Sequence, residues 1–314
     1  MILQKKQSDI AGAIIACLLW STAFAGVKYG LRYAQPLGFA GIRFMLSGLL
    51  ILPFCVRSIK AHYADRQFYG LVGRIALFQT FLLYGFFYLG MMRIPGALGA
   101  IVIGSSPLIT AVTAHILLTD DRMTSRKLFC IILGIFGVVL ISVSRKPWVP
   151  AGWHELIGIL LLLLGTICSA IGNILVSQDK KRSDPFLLNA CQLFLGGALL
   201  TCVSLLAEGK PRWPIHYPFI LTLLWLSFLS AAAFSIWFML LKKPDIKVSE
   251  LNFWKFLIPV FGAVFSWMLL KEEKPDWISL GGMCSVSVSI LLFFYTDRVK
   301  EKSRTSQGLI MRHD

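Results

Sequence analysis

The stretch PLITAVTAHILLTDD, residues 107–121, decides the fold because it returns later in the chain as PVFGAVFSWMLLKEE, residues 259–273. In both copies a proline opens an apolar run, and an acidic pair begins 13 residues later. The two copies are offset by 152 residues, and a second register with an offset of 149 carries Pro36 onto Pro185. The chain is therefore predicted to contain one structural unit twice.

The composition places this repeated unit in a membrane. Of the 314 residues, 56% are hydrophobic and 15% are charged, whereas soluble domains carry about 25% charged residues. The mean hydropathy is +0.71. The apolar runs are about 18 to 24 residues long, which is enough to cross a hydrocarbon core as a helix. They lack the alternation of a membrane β-strand, so helices are the predicted structure.

The runs predict an all-α membrane protein with ten transmembrane helices arranged as two inverted five-helix repeats. The predicted spans are residues 10–31, 37–56, 71–91, 95–118, 127–144, 156–176, 186–206, 218–241, 250–270 and 277–296. An odd number of spans in each repeat makes the second copy enter the membrane from the opposite side. The predicted organisation is a cytoplasmic N-terminus at 1–9, a first repeat at 10–144, a linker at 145–155, a second repeat at 156–296 and a basic cytoplasmic tail at 297–314.

The formal charge of +15 is better explained by topology than by a nucleic-acid partner, because Lys and Arg cluster between the apolar runs. Placing both termini in the cytoplasm puts 20 basic residues inside and 8 outside, with three in spans. The expected location is a bacterial inner membrane. The first run, with Ala23-Phe24-Ala25, also resembles a signal peptide. It continues apolar beyond that point, which favours a span.

Several classes of site are absent from the sequence. The seven cysteines show no CxxC spacing, so neither a disulfide framework nor a zinc site is expected. There is no HExxH motif and no carboxylate pair within a span, which argues against an intramembrane enzyme. A channel is not indicated either, because the sequence shows neither a filter loop nor a ring of like residues. We expect no metal and no cofactor, while the oligomeric state is unknown.

Three cations, Lys28, Arg43 and Lys255, fall inside the predicted spans. A charged side chain at mid-bilayer costs several kcal/mol and needs a partner. No Asp or Glu lies mid-span, so an anionic or zwitterionic substrate could supply the counter-charge. Snorkelling of the side chains to the interface, or structural pairing, is the alternative.

The ninth predicted span carries Asn252, Lys255 and Pro259 at spacings that place them on one helix face. Pro259 has no N–H to donate to the Lys255 carbonyl, so the helix is expected to bend there. Irregular helices at membrane depth occur where they line a cavity or lie within protein. A purely structural proline kink is the alternative.

Aromatic and amide side chains complete the candidate substrate-binding residues. On the first span, Trp20, Phe24 and Lys28 share a face at four-residue spacing. The other candidates lie on the third, sixth and seventh spans: Tyr84, Tyr88, Asn173 and Gln192. Each of these residues could instead serve helix packing, the interfacial belt or hydrogen bonds between helices.

Several segments spread along the chain resemble those of the drug/metabolite transporter superfamily, of the EamA type. The resemblance rests on LLWSTAFAGVK, FAGIRFMLSGLLILP, PGALGAIVIGSSPLITAVTAHILLTDDRMT and GIFGVVLIS in the first half, and on SDPFLLNACQLFLGGALL and ELNFWKFLIPVFGAVFSWMLLKEEKPDWISLGG in the second. It covers residues 10–296. The chain departs from the family pattern at Thr119-Asp120-Asp121, Phe129 and Ser169, which warns against borrowing a substrate from a characterised member.

The resemblance implies a central cavity between the halves and transport by alternating access. We expect a secondary transporter for a small metabolite, such as an amino acid or a related zwitterionic or anionic compound, that works as an exporter. The alternatives are a multidrug or organic-cation exporter, an uptake permease and a channel.

Overall fold

The computed structural model describes residues 2–62, 65–94, 99, 102–144, 152–179, 183–210, 216–269 and 277–310. All of the regular structure in these ranges is helical. The α-helices are α1 (Ile2–Gly30), α2 (Pro36–Ile51), α3 (Val56–His62), α4 (Arg66–Ile75), α5 (Leu83–Met91), α6 (Ser106–Leu117), α7 (Ser125–Ser144), α8 (Trp153–Gln178), α9 (Pro185–Ala207), α10 (Tyr217–Leu241), α11 (Val248–Phe253), α12 (Leu257–Leu269) and α13 (Trp277–Ile310).

Six helices in the described part of the chain are long and apolar enough to cross a membrane. They are Gln7–Gly30, Pro36–His62, Arg66–Met91, Trp153–Gln178, Pro185–Ala207 and Tyr217–Leu241. Shorter apolar helices occur at Val102–Leu117 and Trp277–Phe293. The predicted all-helical membrane architecture is thus confirmed, whereas the count of ten spans stays a prediction.

Sequence punctuation explains where these helices begin. Proline occupies the first turn of α2, α9 and α10, where its missing N–H is tolerated. The Asp184 carboxylate caps α9 by accepting from the N–H groups of Phe186 and Leu187. The N–H groups of Leu37 and Gly38, which begin α2, are capped from another helix. Their acceptor is Glu208, the residue that follows α9.

Three irregular turns interrupt the described helical spans, and the first is a short one, Leu52–Cys55, between α2 and α3. A π-helical turn, Ala76–Leu82, joins α4 to α5, and a 3-10 turn, Trp254–Phe256, joins α11 to α12. The 3-10 turn lies just before Pro259, where the sequence predicts a bend. π-helical turns are rare and occur frequently at functional sites.

Helices α2 and α9 pack backbone to backbone through small residues. A Cβ added to Gly197 would lie 2.6 Å from the carbonyl oxygen of Gly41, and one added to Gly48 would lie 2.7 Å from that of Ala190. Gly41 and Ala190 are counterparts at the offset of 149 residues, and so are Gly48 and Gly197. The counterparts of one contacting pair therefore form the other contacting pair, with the helices antiparallel, as two repeats related by a two-fold axis would require.

Helices α7 and α13 repeat this relation at the offset of 152 residues. A Cβ added to Gly137 would lie 2.6 Å from the carbonyl oxygen of Gly282. Their counterparts, Ser289 and Cys130, are joined by a hydrogen bond of 2.6 Å from the serine hydroxyl to the cysteine carbonyl. Residue numbers again rise along one helix as they fall along the other. The last helix of each half thus packs antiparallel against its counterpart.

Candidate functional site

A cavity of about 1090 Å³, its mouth included, lies between the two halves of the protein. Its described lining comes from α1, α2, the π-helical turn, α5, the start of α6, α8, α10 and the segment around the 3-10 turn. Most of the walls are apolar or aromatic, and no described lining residue is acidic. The polar members of the lining are Arg43, Gln79, Tyr84, Ser106, Thr166, Ser169 and Lys255.

Lys255 brings a positive charge to this cavity from the 3-10 turn. Its Nζ lies 5.2 Å from the ring centroid of Trp237 and 5.8 Å from that of Trp20. Among the described residues it has no carboxylate partner and no hydrogen-bond acceptor. The indole N–H of Trp237 is also buried without an acceptor in the described part of the chain. Two donors therefore lie close together, and neither has an acceptor among the described residues.

Arg43 also lines the cavity, but its guanidinium is held by neutral groups. Its Nη1 donates to the Tyr88 hydroxyl at 2.9 Å, and its Nη2 donates to the Ser230 hydroxyl at 2.8 Å. Its Nε donates to the Leu226 carbonyl at 3.3 Å, and the Phe44 ring lies 4.8 Å from the guanidinium carbon. Arg43 is only 2% exposed. These dipoles fix its orientation without neutralising its charge.

A chain of buried amides begins at Gln79, which lines the cavity. Asn252 donates from Nδ2 to the Val248 carbonyl at 2.9 Å and accepts at Oδ1 from Asn173 Nδ2 at 3.1 Å. The Oδ1 of Asn173 in turn lies 3.5 Å from Nε2 of Gln79. The three side chains come from the π-helical turn, α8 and α11, and therefore link the two halves of the protein.

A second polar chain connects the π-helical turn with α9 and α10. The Thr80 hydroxyl donates to Oε1 of Gln192 at 2.6 Å, and Nε2 of Gln192 donates to Oδ1 of Asn189 at 2.9 Å. Asn189 Nδ2 donates to the Ser235 hydroxyl at 3.0 Å. All of these side chains are buried, and neither amide is among the lining residues of the cavity.

The structure places the sequence-predicted candidates in three groups. Those that line the cavity are Trp20, Arg43, Tyr84 and Lys255. Those that are buried and hydrogen-bonded but do not line the cavity are Tyr88, Asn173, Gln192 and Asn252. Lys28 is exposed in the last turn of α1 and does not line the cavity, and the side chain of Phe24 lies outside the described part of the structure.

Sequence reasoning missed Gln79, Phe234 and Trp237. Phe234 lines the cavity, and Trp20 packs edge-on against both aromatic rings, with centroid distances of 5.3 Å and 4.9 Å. Both residues belong to α10, which contains no charged side chain that could have identified them from the sequence. Gln79, a polar residue in an apolar run, was a signal that could have been used.

An ion-pair cluster around Asp121, which follows α6, lies at one end of the helix bundle. The Asp121 carboxylate accepts from Lys127 Nζ at 2.8 Å and from the Ser249 backbone N–H at 2.8 Å, and also from the Ser249 hydroxyl. Burial alone would raise the pKa of Asp121, but these three hydrogen bonds outweigh it and hold the pKa below its usual value.

A second cluster at the same end joins the loop after α8 to the end of α10. Lys242 Nζ donates to Asp179 at 2.7 Å and to the Ser183 carbonyl at 2.6 Å. Burial lowers the pKa of Lys242, and its bond to Asp179 offsets only part of that effect. The residues of α1 that line the cavity, Trp20, Ala23 and Val27, come from the half of that helix farther from this end, because Asp9 near the start of α1 pairs with Lys243.

Metal chemistry has no support in the described residues, where no group of three or more His, Cys, Asp or Glu side chains could hold an ion.

The sequence matches the EamA-like transporter family model twice, at residues 7–143 and 156–295.

Curated relatives are similar over most of their length. The chain is 26% identical to an uncharacterized transporter of Synechocystis, covering 94% of this chain and 92% of that protein. It is 29% identical to the uncharacterized transporter YvbV of Bacillus subtilis, with 88% of each chain covered. It is 23% identical to the S-adenosylmethionine/S-adenosylhomocysteine transporter of Chlamydia trachomatis, covering 82% of this chain and 80% of that one.

A solved crystal structure shares the fold, with a TM-score of 0.78 at 16% identity over 94% of this chain and 99% of the other. The family and the relatives are transporters, so the expectation that this chain is not an enzyme is confirmed. With its apolar spans it is a multi-pass integral membrane protein. The resemblance seen in the sequence is thus established, and the chain belongs to the EamA-like transporter family.

Proposed function

We propose that this chain is a secondary carrier for a small metabolite with an anionic group, such as an amino acid or a related zwitterionic or anionic compound. It moves this substrate by alternating access between two inverted five-helix repeats, and export is the working direction. The observation that carries the proposal is the Lys255 ammonium, which faces two indole rings and no anion among the described residues.

The energetics of Lys255 favour an anionic ligand. A cation at membrane depth costs several kcal/mol, and cation–π contacts contribute about 0.5–2 kcal/mol. The rings of Trp20 and Trp237 therefore offset part of the cost, and a bound carboxylate would offset more.

The character of the lining supports an anion over an organic cation. The two charged residues of the described lining, Arg43 and Lys255, are both positive, and none is acidic. A cationic drug would therefore meet repulsion without a carboxylate to bind it or to exchange a proton. The aromatic walls suit the apolar body of a substrate whose head group is bound by Lys255.

The names of two relatives are consistent with this class. Those proteins, from Chlamydia trachomatis and Chlamydia muridarum, are S-adenosylmethionine/S-adenosylhomocysteine transporters. Both compounds combine an amino-acid head group with an aromatic base. S-adenosylhomocysteine is a zwitterion, whereas S-adenosylmethionine carries an additional sulfonium charge that lies outside the proposed class. At 23% identity we adopt only the shared chemistry, a carboxylate attached to a bulky body, as part of the proposal.

Alternating access requires that the end of the bundle with the Asp121 and Lys242 clusters can open. The clusters around Asp121 and Lys242 join loops that belong to different helix pairs. We place this end in the cytoplasm on the distribution of basic residues. Opening the cavity to that side would break these ion pairs, so they serve as the inner gate.

The test is counterflow in proteoliposomes with labelled amino acids, organic acids and organic cations. We expect saturable exchange of amino acids or acids, and a loss of at least tenfold in Lys255→Met. Lys60→Met, which removes an exposed lysine of α3, is the matched control and should exchange like wild type. Preferred exchange of cations, or full activity of folded Lys255→Met, would overturn the proposal.

A further inference from the structure

The segment that carries Lys255 depends on other helices for its position. It consists of α11, which is only 6 residues long, and the 3-10 turn Trp254–Phe256. A 3-10 turn has poorer hydrogen-bond geometry than an α-helix, and Pro259 has no N–H to donate to the Lys255 carbonyl. Because the segment is short and its turn is weakly bonded, contacts with neighbouring helices set the place of the Lys255 ammonium in the cavity.

The Asn252 side chain ties this segment to α8. Asn252 lies in the last turn of α11, three residues before Lys255, and its Oδ1 accepts from Nδ2 of Asn173 at 3.1 Å. Both asparagine side chains are fully buried. Helix α8 is one of the long apolar helices that could cross a membrane, so the bond attaches the short segment to a continuous helix.

The orientation of both amides follows from the carbonyl of Val248. A carbonyl can only accept, so Asn252 directs its Nδ2 there, at 2.9 Å, and its Oδ1 towards Asn173. Asn173 consequently directs its Oδ1 towards Nε2 of Gln79, whose own Oε1 has no donor among the described residues. Neither asparagine lines the cavity. They can therefore act on a bound substrate only through the segment that they hold.

Further bonds hold the two ends of the same segment. The N–H of Ser249, at the start of α11, donates to Asp121 at 2.8 Å, and the Cys17 thiol donates to the Trp254 carbonyl at 3.3 Å. The Asp121 bond belongs to the proposed inner gate and is lost when that gate opens. The thiol is a weak donor. The bond between the two asparagines is therefore the one best suited to hold the segment throughout a transport cycle.

We propose that Asn252 and Asn173 are positioning residues for transport, whose hydrogen bond holds the Lys255 ammonium where the anionic group of the substrate binds. The inference rests on the proposed function, in which Lys255 binds that group. Asn252→Leu keeps the size of the side chain, but it removes the acceptor of Asn173 and frees the segment. The ammonium then spends less time at the binding position, so the substrate binds more weakly. The maximal rate is unchanged, because a bound substrate holds the ammonium in place.

Exchange in proteoliposomes tests the inference, with the amino acid or organic acid of the panel that wild type exchanges fastest as the probe. Asn252→Leu should raise the half-saturating concentration about tenfold, equivalent to about 1.4 kcal/mol, and leave the maximal rate within about twofold of wild type. In the Lys255→Met background the same substitution should change the half-saturating concentration by less than about twofold, because no ammonium remains to be positioned.

Asn189→Leu is the matched control, because Asn189 is also fully buried and donates to a side chain of another helix, the Ser235 hydroxyl at 3.0 Å. This variant should keep the wild-type half-saturating concentration. Asn173→Leu removes the same bond as Asn252→Leu from the other side, and it provides the test if Asn252→Leu does not fold. If neither variant folds, the bond is needed for folding, and the positioning role is overturned.

The outcomes separate this inference from the proposed function. If Asn252→Leu weakens binding by the same factor with and without Lys255, or does not weaken it at all, the positioning role is wrong and the proposed function stands. If folded Lys255→Met exchanges the probe like wild type, or wild type exchanges no amino acid or organic acid, the proposed function fails, and the positioning role fails with it.

Discussion

The contact between α2 and α9 makes a direct prediction for Gly48→Ala. The new Cβ would lie 2.7 Å from the carbonyl oxygen of Ala190 and 2.8 Å from both the backbone nitrogen and the Cβ of Phe194. Ordinary contacts of a Cβ begin at 3.4 Å, so the methyl group is about 0.6–0.7 Å too close to three atoms of α9. Backbone atoms cannot rotate away, and the two helices must separate.

Overpacking of this kind costs about 1–3 kcal/mol. We expect Gly48→Ala to fall in the upper part of that range, a loss of about 2–3 kcal/mol, because the atoms in its way belong to a rigid helix. The gain in helix propensity from glycine to alanine, about 1 kcal/mol in a helix interior, is too small to reverse the sign. The free energy of unfolding should therefore fall.

The assay is unfolding of the purified protein in detergent micelles, by heat and by titration with a denaturing detergent. Gly73→Ala in α4 is the matched control, because its added Cβ meets nothing within 4 Å. That variant should be as stable as wild type or slightly more stable. If Gly48→Ala unfolds at the wild-type midpoint, the two helices are not in backbone contact, and the packing described for the counterpart glycines is wrong.

Two further predictions concern the buried charges. The pKa of Asp121 is lowered in the folded protein, so its contribution to stability is complete above the usual aspartate value of about 3.9 and is lost as the pH falls through the folded pKa. Asp121→Asn should therefore lower the thermal midpoint equally at pH 5 and pH 8, and a difference that changes between these values would refute the assignment. Arg43→Lys should destabilise the protein by about 1–3 kcal/mol, because an ammonium cannot bond Tyr88 and Ser230 in the fork geometry of the guanidinium. An unchanged unfolding midpoint would contradict it.

The membrane class, the helical architecture and the family could be predicted because they depend on properties that are local along the chain. A run of apolar residues long enough to cross a bilayer must be helical wherever it lies. The counterpart prolines Pro107 and Pro259 give the register of the two copies, and this register can be read without knowing any tertiary contact. The break near Pro259 could likewise be anticipated, since proline removes its own N–H from the helix.

The candidate site could be predicted only in part. Lys255 and Trp20 were identified because a charge or a large ring in an apolar span is conspicuous. Lys28 shares a predicted face with Trp20, yet it lies at the exposed end of α1. For Arg43 the sequence leaves open whether a substrate or a structural contact is the partner, and in the structure it lines the cavity and is bonded to Tyr88 and other neutral groups. Helical spacing predicts which residues share one face of a helix, but it does not predict which other residues that face contacts.

By itself, then, the sequence determined that this chain is a helical membrane protein built from two copies of one unit, because hydrophobic length and repeated prolines act within each segment. The tertiary structure alone decided which polar groups are satisfied. The free oxygen of Gln79 depends on an orientation passed from Val248 through Asn252 and Asn173, which lie on different helices. Hydrogen bonds between distant segments depend on distances that no local pattern records.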